Sequence, residues 1–281
     1  MTQRITFPPS PIKLYGIIGH PLGHTMSPPL HNWGFQALGV PGEYRMFPVE
    51  LSMLAAMMEQ VRTLPIAGLS VTIPHKVAVM PFLDGISERA KDVGAVNTVF
   101  WDGPRLRGEN TDVHGFLAPL RLLPRPPRSA LVLGAGGAAR AALAGLRELG
   151  VDRVTVSNRS ADKAISLAKE FMVHTLPWDE RARAEAELVI NTTPLGMKGQ
   201  RQNQSPWPES TCLSAKQIAY DMVYNPQQTP FLTEAARNGS RTIDGLSMFV
   251  HQAAEQFRLW TGQSFNLDEA RKLITGLLAA G

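Results

Sequence analysis

The stretch from Ser129 to Ser160 constrains the fold of this chain more than any other. It begins with the apolar run "SALVL" and continues through the glycine-rich turn "GAGGAA" into an alanine-rich helical pattern. It ends in a second apolar run, "RVTVS". Strand, tight turn, helix and strand over about thirty residues is the size of one βαβ unit. Strands joined by such a crossover lie parallel in a sheet, so this part of the chain belongs to the α/β class.

The glycine turn has the spacing of a dinucleotide site. Gly134, Gly136 and Ala139 fit the pattern G-x-G-x-x-A, directly after a strand and at the start of a helix. Glycines at these positions allow the tight turn and let a pyrophosphate approach the N–H groups of the helix N-terminus. A turn selected only for close packing of helix on strand is the alternative, and the strand–turn–helix context favours the dinucleotide.

The residues after "RVTVS" indicate which dinucleotide this is. Sites for NAD place Asp or Glu about twenty residues beyond the glycines, where it accepts hydrogen bonds from the ribose. Here that position carries Asn158 and Arg159, with Ser160 and Lys163 just beyond. A guanidinium can bind a 2′-phosphate through two hydrogen bonds, whereas a carboxylate would repel it. The pattern therefore favours NADP over NAD.

The rest of the chain also alternates between strands and helices. Before the glycine turn, "KLYGIIG", "EYRMFPVE" and "IAGLSVTIP" predict strands, and two further strands flank a turn at Asp102–Gly103. A helix is expected to follow Ser27 as its N-cap, with Pro28 in the first helical position. After the glycine turn, "AELVINTT" and "QIAYDMVY" predict strands, and the patterns at residues 247–261 and 267–280 predict helices. We expect one domain at 1–112, completed by helices at 246–281, and a second at 113–245.

Composition excludes several classes of function. A single cysteine, Cys212, leaves no intramolecular disulfide and is typical of a reducing cytoplasm. Without a cysteine pair or an HExxH pattern we expect no metal site. No apolar run is long enough to cross a bilayer, and prolines interrupt the N-terminus before a signal peptide could form, so no membrane partner is expected. The net charge of +4 is scattered rather than clustered, which suits small anionic ligands and argues against nucleic acid.

A second group of polar residues lies at predicted strand ends and helix starts. Each has an ordinary explanation, because most lysines are solvated and an aspartate often caps a helix. Together they provide an amine, a carboxylate, an amide and three hydroxyls, which is the chemistry needed to hold a small polyhydroxylated acid beside a hydride acceptor. The group consists of Thr25, Ser27, Thr72, Lys76, Asn97 and Asp112.

Nine ordered segments make the chain resemble the shikimate dehydrogenase family along essentially its whole length. They are "GHPLGHTMSPPLHN", "VTIPHK", "GAVNT", "GENTD", "GAGGAAR", "SNRS", "NTTPLGM", "DMVYNP" and "DGLSMFVHQAAEQFRLWTG". The resemblance implies an N-terminal α/β substrate domain and a Rossmann-like NADP-binding domain, with a cleft between them. It also implies reversible reduction of 3-dehydroshikimate to shikimate by NADPH, in a cytoplasmic monomer or homodimer.

The resemblance also assigns roles to residues. Thr25 and Ser27 match a hydroxyl pair that holds the substrate carboxylate, and Lys76 matches the acid/base, with Asp112 as the other catalytic residue. The positions that match contacts to the substrate ring are Thr72, Asn97, Asp112, Tyr224 and Gln252. The positions that match cofactor contacts are Gly134, Ala135, Gly136, Gly137, Ala138, Asn158, Arg159, Ser160, Lys163, Met222 and Gly245.

Two departures from the family pattern leave alternatives open. Thr25 stands where serine is usual, and Ser247 stands where glycine is common beside the cofactor. Changes in the hydroxyl pair accompany altered substrate choice, so a paralogue acting on quinate or an aminated shikimate is an alternative. A dinucleotide-binding sensor without catalysis is another, although the intact pair of Lys76 and Asp112 argues against it.

Overall fold

The structure is a computed structural model that describes residues 12–23 and 25–280. Contacts among these residues divide the chain into two compact units. The first unit contains the described residues up to Thr111 together with Ala253–Ile274. The second contains Asp112–Gln252 together with the described residues from Thr275 onward.

The first unit is built on one mixed sheet. Short 3-10 turns at Leu51–Met53 and Met80–Phe82 connect some of its elements. In chain order its elements are β1 (Lys13–Gly19), α1 (Ser27–Ala37), β2 (Gly42–Pro48), α2 (Leu54–Thr63), β3 (Ile66–Val71), α3 (His75–Ala78), β4 (Gly85–Ile86), α4 (Glu88–Val93), β5 (Thr98–Asp102) and β6 (Arg105–Glu109).

Strand pairing in this sheet gathers several loops at one edge. The strand order is β2-β1-β3-β5-β6-β4, with β1 parallel to β3 and β5 antiparallel to β3. The loops that follow β1 and β3 therefore leave from the same edge. Because β5 runs the other way, its first residue, Thr98, pairs with Ser70 near the end of β3. Residues before β5 thus lie beside residues after β3.

Apolar side chains cover both faces of this sheet. Leu14 and Ile18 of β1 and Leu69 of β3 pack in one buried cluster with Met58 and Val61 of α2. An aromatic cluster packs elsewhere in the unit, where the ring of Tyr15 lies 4.9 Å from that of Phe35 and 5.4 Å from that of Trp260. Parallel strands buried on both faces produce the near-continuous apolar runs seen in the sequence.

The second unit is built on a wholly parallel sheet. Its elements are α5 (Thr111–Leu120), β7 (Ser129–Leu133), α6 (Gly137–Glu148), β8 (Arg153–Ser157), α7 (Ala161–Phe171), β9 (His174–Thr175), a 3-10 turn (Trp178–Arg183), β10 (Leu188–Asn191), β11 (Ile218–Asp221), α8 (Pro230–Arg237) and β12 (Arg241–Ile243). Two further helices, α9 (Gly245–Thr261) and α10 (Leu267–Ala280), have residues in both units. The strand order is β12-β11-β10-β7-β8-β9, and α6 is the crossover between β7 and β8. This arrangement confirms the predicted α/β class and the Rossmann-like βαβ unit.

The division between the units falls inside α9 and α10, whereas the sequence assigns residues 246–281 as a whole to the first domain. Close packing of α5 on the first half of α9 explains the difference at residues 246–252. A Cβ added at Gly115 would overlap the Met248 carbonyl oxygen and would lie 3.0 Å from the Gln252 Cβ. The predicted bounds of 1–112 with 246–281, and of 113–245, stay a prediction.

The start of α1 differs from the sequence prediction. Ser27 is inside the helix, and the N-cap position belongs to Met26. If Ser27 were the cap, the next two positions would be Pro28 and Pro29, which have no N–H for its side chain to accept from. The first available N–H, that of Leu30, bonds to the Met26 carbonyl at 3.2 Å and extends the helix by one residue.

Candidate active site

A pair of hydroxyls lies at the start of α1. The Thr25 Oγ1 donates to the Ser27 Oγ at 3.2 Å, and the Ser27 N–H donates to the Thr25 Oγ1 at 3.2 Å. Ser27 is buried and Thr25 is half-buried. The two prolines that follow fix the backbone of the first turn. When the Thr25 hydroxyl turns its hydrogen away from Ser27, the two adjacent hydroxyls can both donate to one anion beside the helix N-terminus.

Thr72 and Lys76 follow β3 at the same edge of the sheet. The Thr72 N–H donates to the Ile18 carbonyl at 2.9 Å, and the Thr72 carbonyl accepts from the His75 N–H at 2.9 Å to begin α3. His75 is buried, and its Nε2 lies 2.7 Å from the Val49 carbonyl, so this nitrogen donates. The half-buried Lys76 therefore lies on a short helix whose first residue, His75, is hydrogen-bonded through both its backbone and its side chain.

Asn97 lies beside these residues because of the antiparallel pairing of β5. Its carbonyl accepts from the Val71 N–H at 2.7 Å, and the neighbouring Val96 N–H donates to the Lys76 carbonyl at 2.7 Å. The Asn97 side chain is buried, with its Nδ2 donating to the Thr111 Oγ1 at 2.9 Å and its Oδ1 accepting from the Thr111 N–H at 2.7 Å. The first unit thus brings Thr72, Lys76 and Asn97 together.

Three of the predicted substrate residues lie in the second unit. Asp112 is buried in the first turn of α5, where a carboxylate is favoured by the helix dipole. Tyr224 stacks on Phe249, with ring centroids 4.4 Å apart, and the Gln252 Nε2 donates to the Phe249 carbonyl at 3.0 Å. Tyr224 and Gln252 therefore both contact Phe249 of α9.

The glycine turn has the form needed for a pyrophosphate. Gly134 has φ +121°, and a Cβ there would overlap the Thr192 Oγ1, so only glycine suits this position. Its N–H donates to the Ser157 carbonyl at 2.8 Å. Gly136 is the N-cap of α6 and has open space where a Cβ would point. No side chain of the described residues caps this helix start, so its N–H groups can serve an anion.

The end of β8 carries cationic rather than acidic side chains. Asn158, Arg159 and Ser160 follow the strand directly, and the Asn158 Nδ2 donates to the Ser160 carbonyl at 3.0 Å. Arg159 and Lys163 are exposed. The carboxylate of Asp162 lies in the first turn of α7, where it complements the helix dipole. These residues fit a phosphate on the ribose 2′-oxygen.

Met222 and Gly245, both predicted to contact the cofactor, lie against each other. The Met222 N–H donates to the Asn191 carbonyl at 3.0 Å, just after β11. A Cβ added at Gly245 would lie 2.5 Å from the Val223 carbonyl oxygen and 2.7 Å from the Met222 carbonyl carbon. Glycine is thus needed for the close approach of α9 to this loop. Nearby, the Ser247 N–H donates to the Asp244 Oδ1 at 3.2 Å.

A buried carboxylate that the sequence analysis missed ties two loops of the second unit together. Asp221 accepts from the Thr229 Oγ1 at 2.6 Å, from the Val223 N–H at 2.9 Å and from the Asn191 Nδ2 at 2.9 Å. Burial raises the pKa of Asp221 to about 7, although the three hydrogen bonds act in the opposite direction. An acidic residue inside the apolar run "QIAYDMVY" is the sequence signal that could have revealed it.

The described residues contain neither a cluster of metal ligands nor a helix that could span a membrane. Among residues 12–23 and 25–280, no three His, Cys, Asp or Glu side chains are arranged to hold a metal ion. No helix within these ranges has both the length and the apolarity needed to cross a membrane.

Comparison with known proteins identifies the family. A family model described as the shikimate dehydrogenase substrate binding domain matches residues 17–99. A model described as shikimate / quinate 5-dehydrogenase matches residues 126–195, and one described as the shikimate 5′-dehydrogenase C-terminal domain matches residues 245–275. The chain is 52% identical over 278 residues to "Shikimate dehydrogenase (NADP(+))" of Oleidesulfovibrio alaskensis, covering 99% of this chain and 100% of that protein.

The chain belongs to the shikimate dehydrogenase family. Solved structures of family members agree with this assignment. Shikimate 5-dehydrogenase of Thermus thermophilus, in complex with NADP(H) and shikimate, has a TM-score of 0.84 and 38% identity, covering 93% of this chain and 98% of that chain. Quinate dehydrogenase of Corynebacterium glutamicum, in complex with NAD, has a TM-score of 0.84 and 30% identity, covering 94% of this chain and 99% of that chain. The family therefore includes members that differ in substrate and cofactor.

Proposed function

We propose that this protein catalyses the NADP-dependent, reversible reduction of 3-dehydroshikimate to shikimate. The observation that carries the proposal is the 52% identity, over nearly the whole of both chains, to a protein named as an NADP-dependent shikimate dehydrogenase. The residues expected to act on the substrate and to bind NADP are all present.

The substrate is held through its carboxylate and its ring hydroxyls. Thr25 and Ser27 donate to the carboxylate, which the adjacent placement of their hydroxyls supports. Thr72, Asn97 and the carboxylate of Asp112 bind ring hydroxyls. Tyr224 and Gln252 complete the set of substrate contacts.

Lys76 is the acid/base of the reaction. Bound NADPH supplies the hydride that is added to the ketone carbon. As an ammonium, Lys76 donates a proton to the ketone oxygen, which becomes the hydroxyl of shikimate. In the reverse direction the neutral amine accepts the same proton. Asp112 orients a substrate hydroxyl next to the reacting group.

The cofactor is held by the glycine turn and by the residues after β8. The N–H groups of Gly136, Gly137 and Ala138 bind the pyrophosphate. Arg159 and Lys163 bind the 2′-phosphate, and Asn158 and Ser160 contact the adjacent ribose. The remaining contacts come from Gly134, Ala135, Met222 and Gly245.

Quinate is the second candidate substrate. Thr25 differs from the serine usual at its position, and quinate dehydrogenase of Corynebacterium glutamicum matches the fold with a TM-score of 0.84. The residues after β8 favour NADP, whereas that enzyme is in complex with NAD. Among these observations, only the threonine at position 25 supports quinate. Shikimate is therefore the preferred substrate.

Initial rates with shikimate and quinate, each paired with NADP and with NAD, test the proposal. Fast turnover with shikimate and NADP alone is the expected result. Comparable or faster oxidation of quinate would assign the protein to a quinate-using branch of the family. Binding of NADP without turnover in any pairing would indicate a non-catalytic sensor.

We propose that the protein is cytoplasmic. The single cysteine, Cys212, is exposed and supports a reducing cytoplasm. We propose a monomer or homodimer, which the mass measured by light scattering during size-exclusion chromatography would test.

A further inference from the structure

Gln256 connects three parts of the first unit through its carboxamide. It lies in the second half of α9 and is only 2% exposed. Its Oε1 accepts from the Ser70 Oγ of β3 at 2.8 Å. Its Nε2 donates to the Asn97 carbonyl at 3.1 Å and to the Thr98 Oγ1 at 3.1 Å. A buried side chain thus satisfies its polar atoms on residues more than 150 positions away in the sequence.

Two backbone groups fix the direction of these hydrogen bonds. The Asn97 carbonyl can only accept, so the Gln256 atom facing it must be the amide nitrogen. The Gln256 oxygen therefore faces Ser70, whose hydroxyl donates to it, and the Tyr44 hydroxyl donates to Ser70 at 2.6 Å. At the other end, the Thr111 N–H can only donate, so the Asn97 Oδ1 must face it.

The Thr98 hydroxyl links the Gln256 amide to the Asn97 side chain by hydrogen bonds. It accepts from the Gln256 amide and donates its own hydrogen to the Asn97 Oδ1 at 2.8 Å, the shorter of its two contacts, since the Thr111 Oγ1 lies 3.2 Å away. The Asn97 Oδ1 is then engaged by Thr98 and by the Thr111 N–H at 2.7 Å. Hydrogen bonds in such a chain strengthen one another in a buried setting. The chain runs in one direction, from Tyr44 through Ser70, Gln256 and Thr98 to Asn97.

We propose that Gln256 is a positioning residue for substrate binding, which fixes the Asn97 carbonyl and the Thr98 hydroxyl and so holds the Asn97 carboxamide where its nitrogen donates to a substrate hydroxyl. The inference rests on the proposed function, in which Asn97 contacts the substrate ring. Gln256 itself acts only through the Asn97 carbonyl and the Thr98 hydroxyl.

Loss of the Gln256 amide has two consequences for Asn97. The Asn97 carbonyl loses a buried donor, and the Thr98 hydroxyl loses the amide that holds it beside the Asn97 Oδ1. The Thr111 N–H still holds the Asn97 Oδ1, so the carboxamide keeps its orientation, but the position of Asn97 is less firmly fixed and its nitrogen is less well placed for the substrate. A contact made equally in the bound substrate and in the transition state raises KM and leaves kcat nearly unchanged when it is lost.

Steady-state kinetics of Gln256→Met, with Tyr44→Phe as the matched control, tests the inference. Methionine has a similar shape and no amide, whereas Tyr44→Phe cuts the same buried chain at the end remote from Asn97. For Gln256→Met we expect the KM for shikimate to rise about tenfold, the effect of losing one good hydrogen bond. We expect kcat and the KM for NADP to change less than about threefold. Tyr44→Phe lowers thermal stability without raising the KM for shikimate. Equal changes of KM in the two variants, or no change in Gln256→Met, would overturn the inference.

Two further variants keep the result interpretable. Gln256→Glu keeps the shape and the acceptor for Ser70 but replaces the amide donor, so it carries the same test if Gln256→Met does not fold, with the same expected rise in KM. Asn97→Ala separates the inference from the proposed function. A raised KM in Asn97→Ala with an unchanged KM in Gln256→Met refutes only the role of Gln256. An unchanged KM in Asn97→Ala refutes the role of Asn97 in substrate binding.

Discussion

Acidification from pH 7 to pH 4.5 should destabilise the first unit through His31. This residue of α1 is fully buried, with its ring 4.5 Å from that of Tyr44 and 5.1 Å from that of Trp260. Among the described residues, neither ring nitrogen has a hydrogen-bond partner of good geometry. Burial lowers the pKa of His31 from 6.5 to about 3, and the nearby Gln256 carboxamide acts weakly in the opposite direction.

The sign and size of the effect follow from proton linkage. Because the folded-state pKa is depressed, the unfolded chain binds more protons than the folded chain between about pH 3 and pH 6.5, so stability falls as the pH falls through this window. With these two pKa values, the loss between pH 7 and pH 4.5 is about 2–3 kcal/mol at 25 °C.

A second buried group acts in the opposite direction and must be separated from His31. The folded-state pKa of Asp221 is raised from 3.8 to about 7, so the folded chain binds more protons in that range and gains stability as the pH falls through it. The two contributions partly cancel in the wild-type protein. A wild-type pH profile alone is therefore not diagnostic.

The assay compares wild type with His31→Phe, which keeps an aromatic ring and removes the titration. Free energies of unfolding are measured at several pH values, with hydrogen exchange of β1 and β3 peptides reporting on the first unit. The difference in free energy of unfolding between the two proteins should change by about 2–3 kcal/mol between pH 7 and pH 4.5, in favour of the variant at low pH. Parallel profiles would refute the burial argument. If His31→Phe does not fold, His31→Gln carries the same comparison.

Three other predictions concern cofactor and substrate binding. Arg159→Ala should raise the KM for NADP about 10- to 100-fold, the effect of losing charge-assisted hydrogen bonds, and leave the KM for NAD unchanged; equal effects on both cofactors would contradict a 2′-phosphate contact. Gly245→Ala should destabilise the protein by about 1–3 kcal/mol and raise the KM for NADP, because its Cβ would lie 2.5 Å from the Val223 carbonyl oxygen. Gly276→Ala in α10, where nothing lies within 4 Å, is the control and should stabilise by about 0.5–1 kcal/mol in thermal denaturation. Thr25→Val should raise the KM for shikimate about tenfold while Thr25→Ser stays within about threefold, and similar values for the two would exclude a role for the hydroxyl.

The parts of the fold that the sequence predicted are those with local signals. The strands β1 and β3 are apolar, β-branched runs, and the turn between β5 and β6 is confirmed, with Gly103 at φ +59°. The helix predicted at 267–280 is α10 with the same bounds. In each case the pattern of apolar residues and the bounding glycines are enough to define the element.

The helix α5 was not predicted, because Gly115 and Pro119 disrupt its helical pattern. Packing overrides that weak propensity, since Gly115 is needed where α5 meets Met248 of α9. The four-residue helix α3 is too short to show a period.

The candidate site could likewise be predicted only where its residues lie in local sequence motifs. Spacing and family motifs point to Lys76 and the glycine turn, since each lies in a recognisable local segment. Nothing local marks Gln256, whose partners Ser70 and Asn97 are 186 and 159 positions away. The role of such a residue depends on which strands pair and on which helix covers them, and these are properties of the tertiary structure.

Central to the proposed mechanism, Lys76 is expected to transfer the proton in the reduction of 3-dehydroshikimate. The most direct measurement is kcat for Lys76→Met at saturating shikimate and NADP, with NADP binding verified by fluorescence titration. We expect kcat to fall at least about a hundredfold with NADP affinity retained, which is the usual effect of removing a positioned acid/base. A variant that retains the wild-type kcat would contradict this role of Lys76.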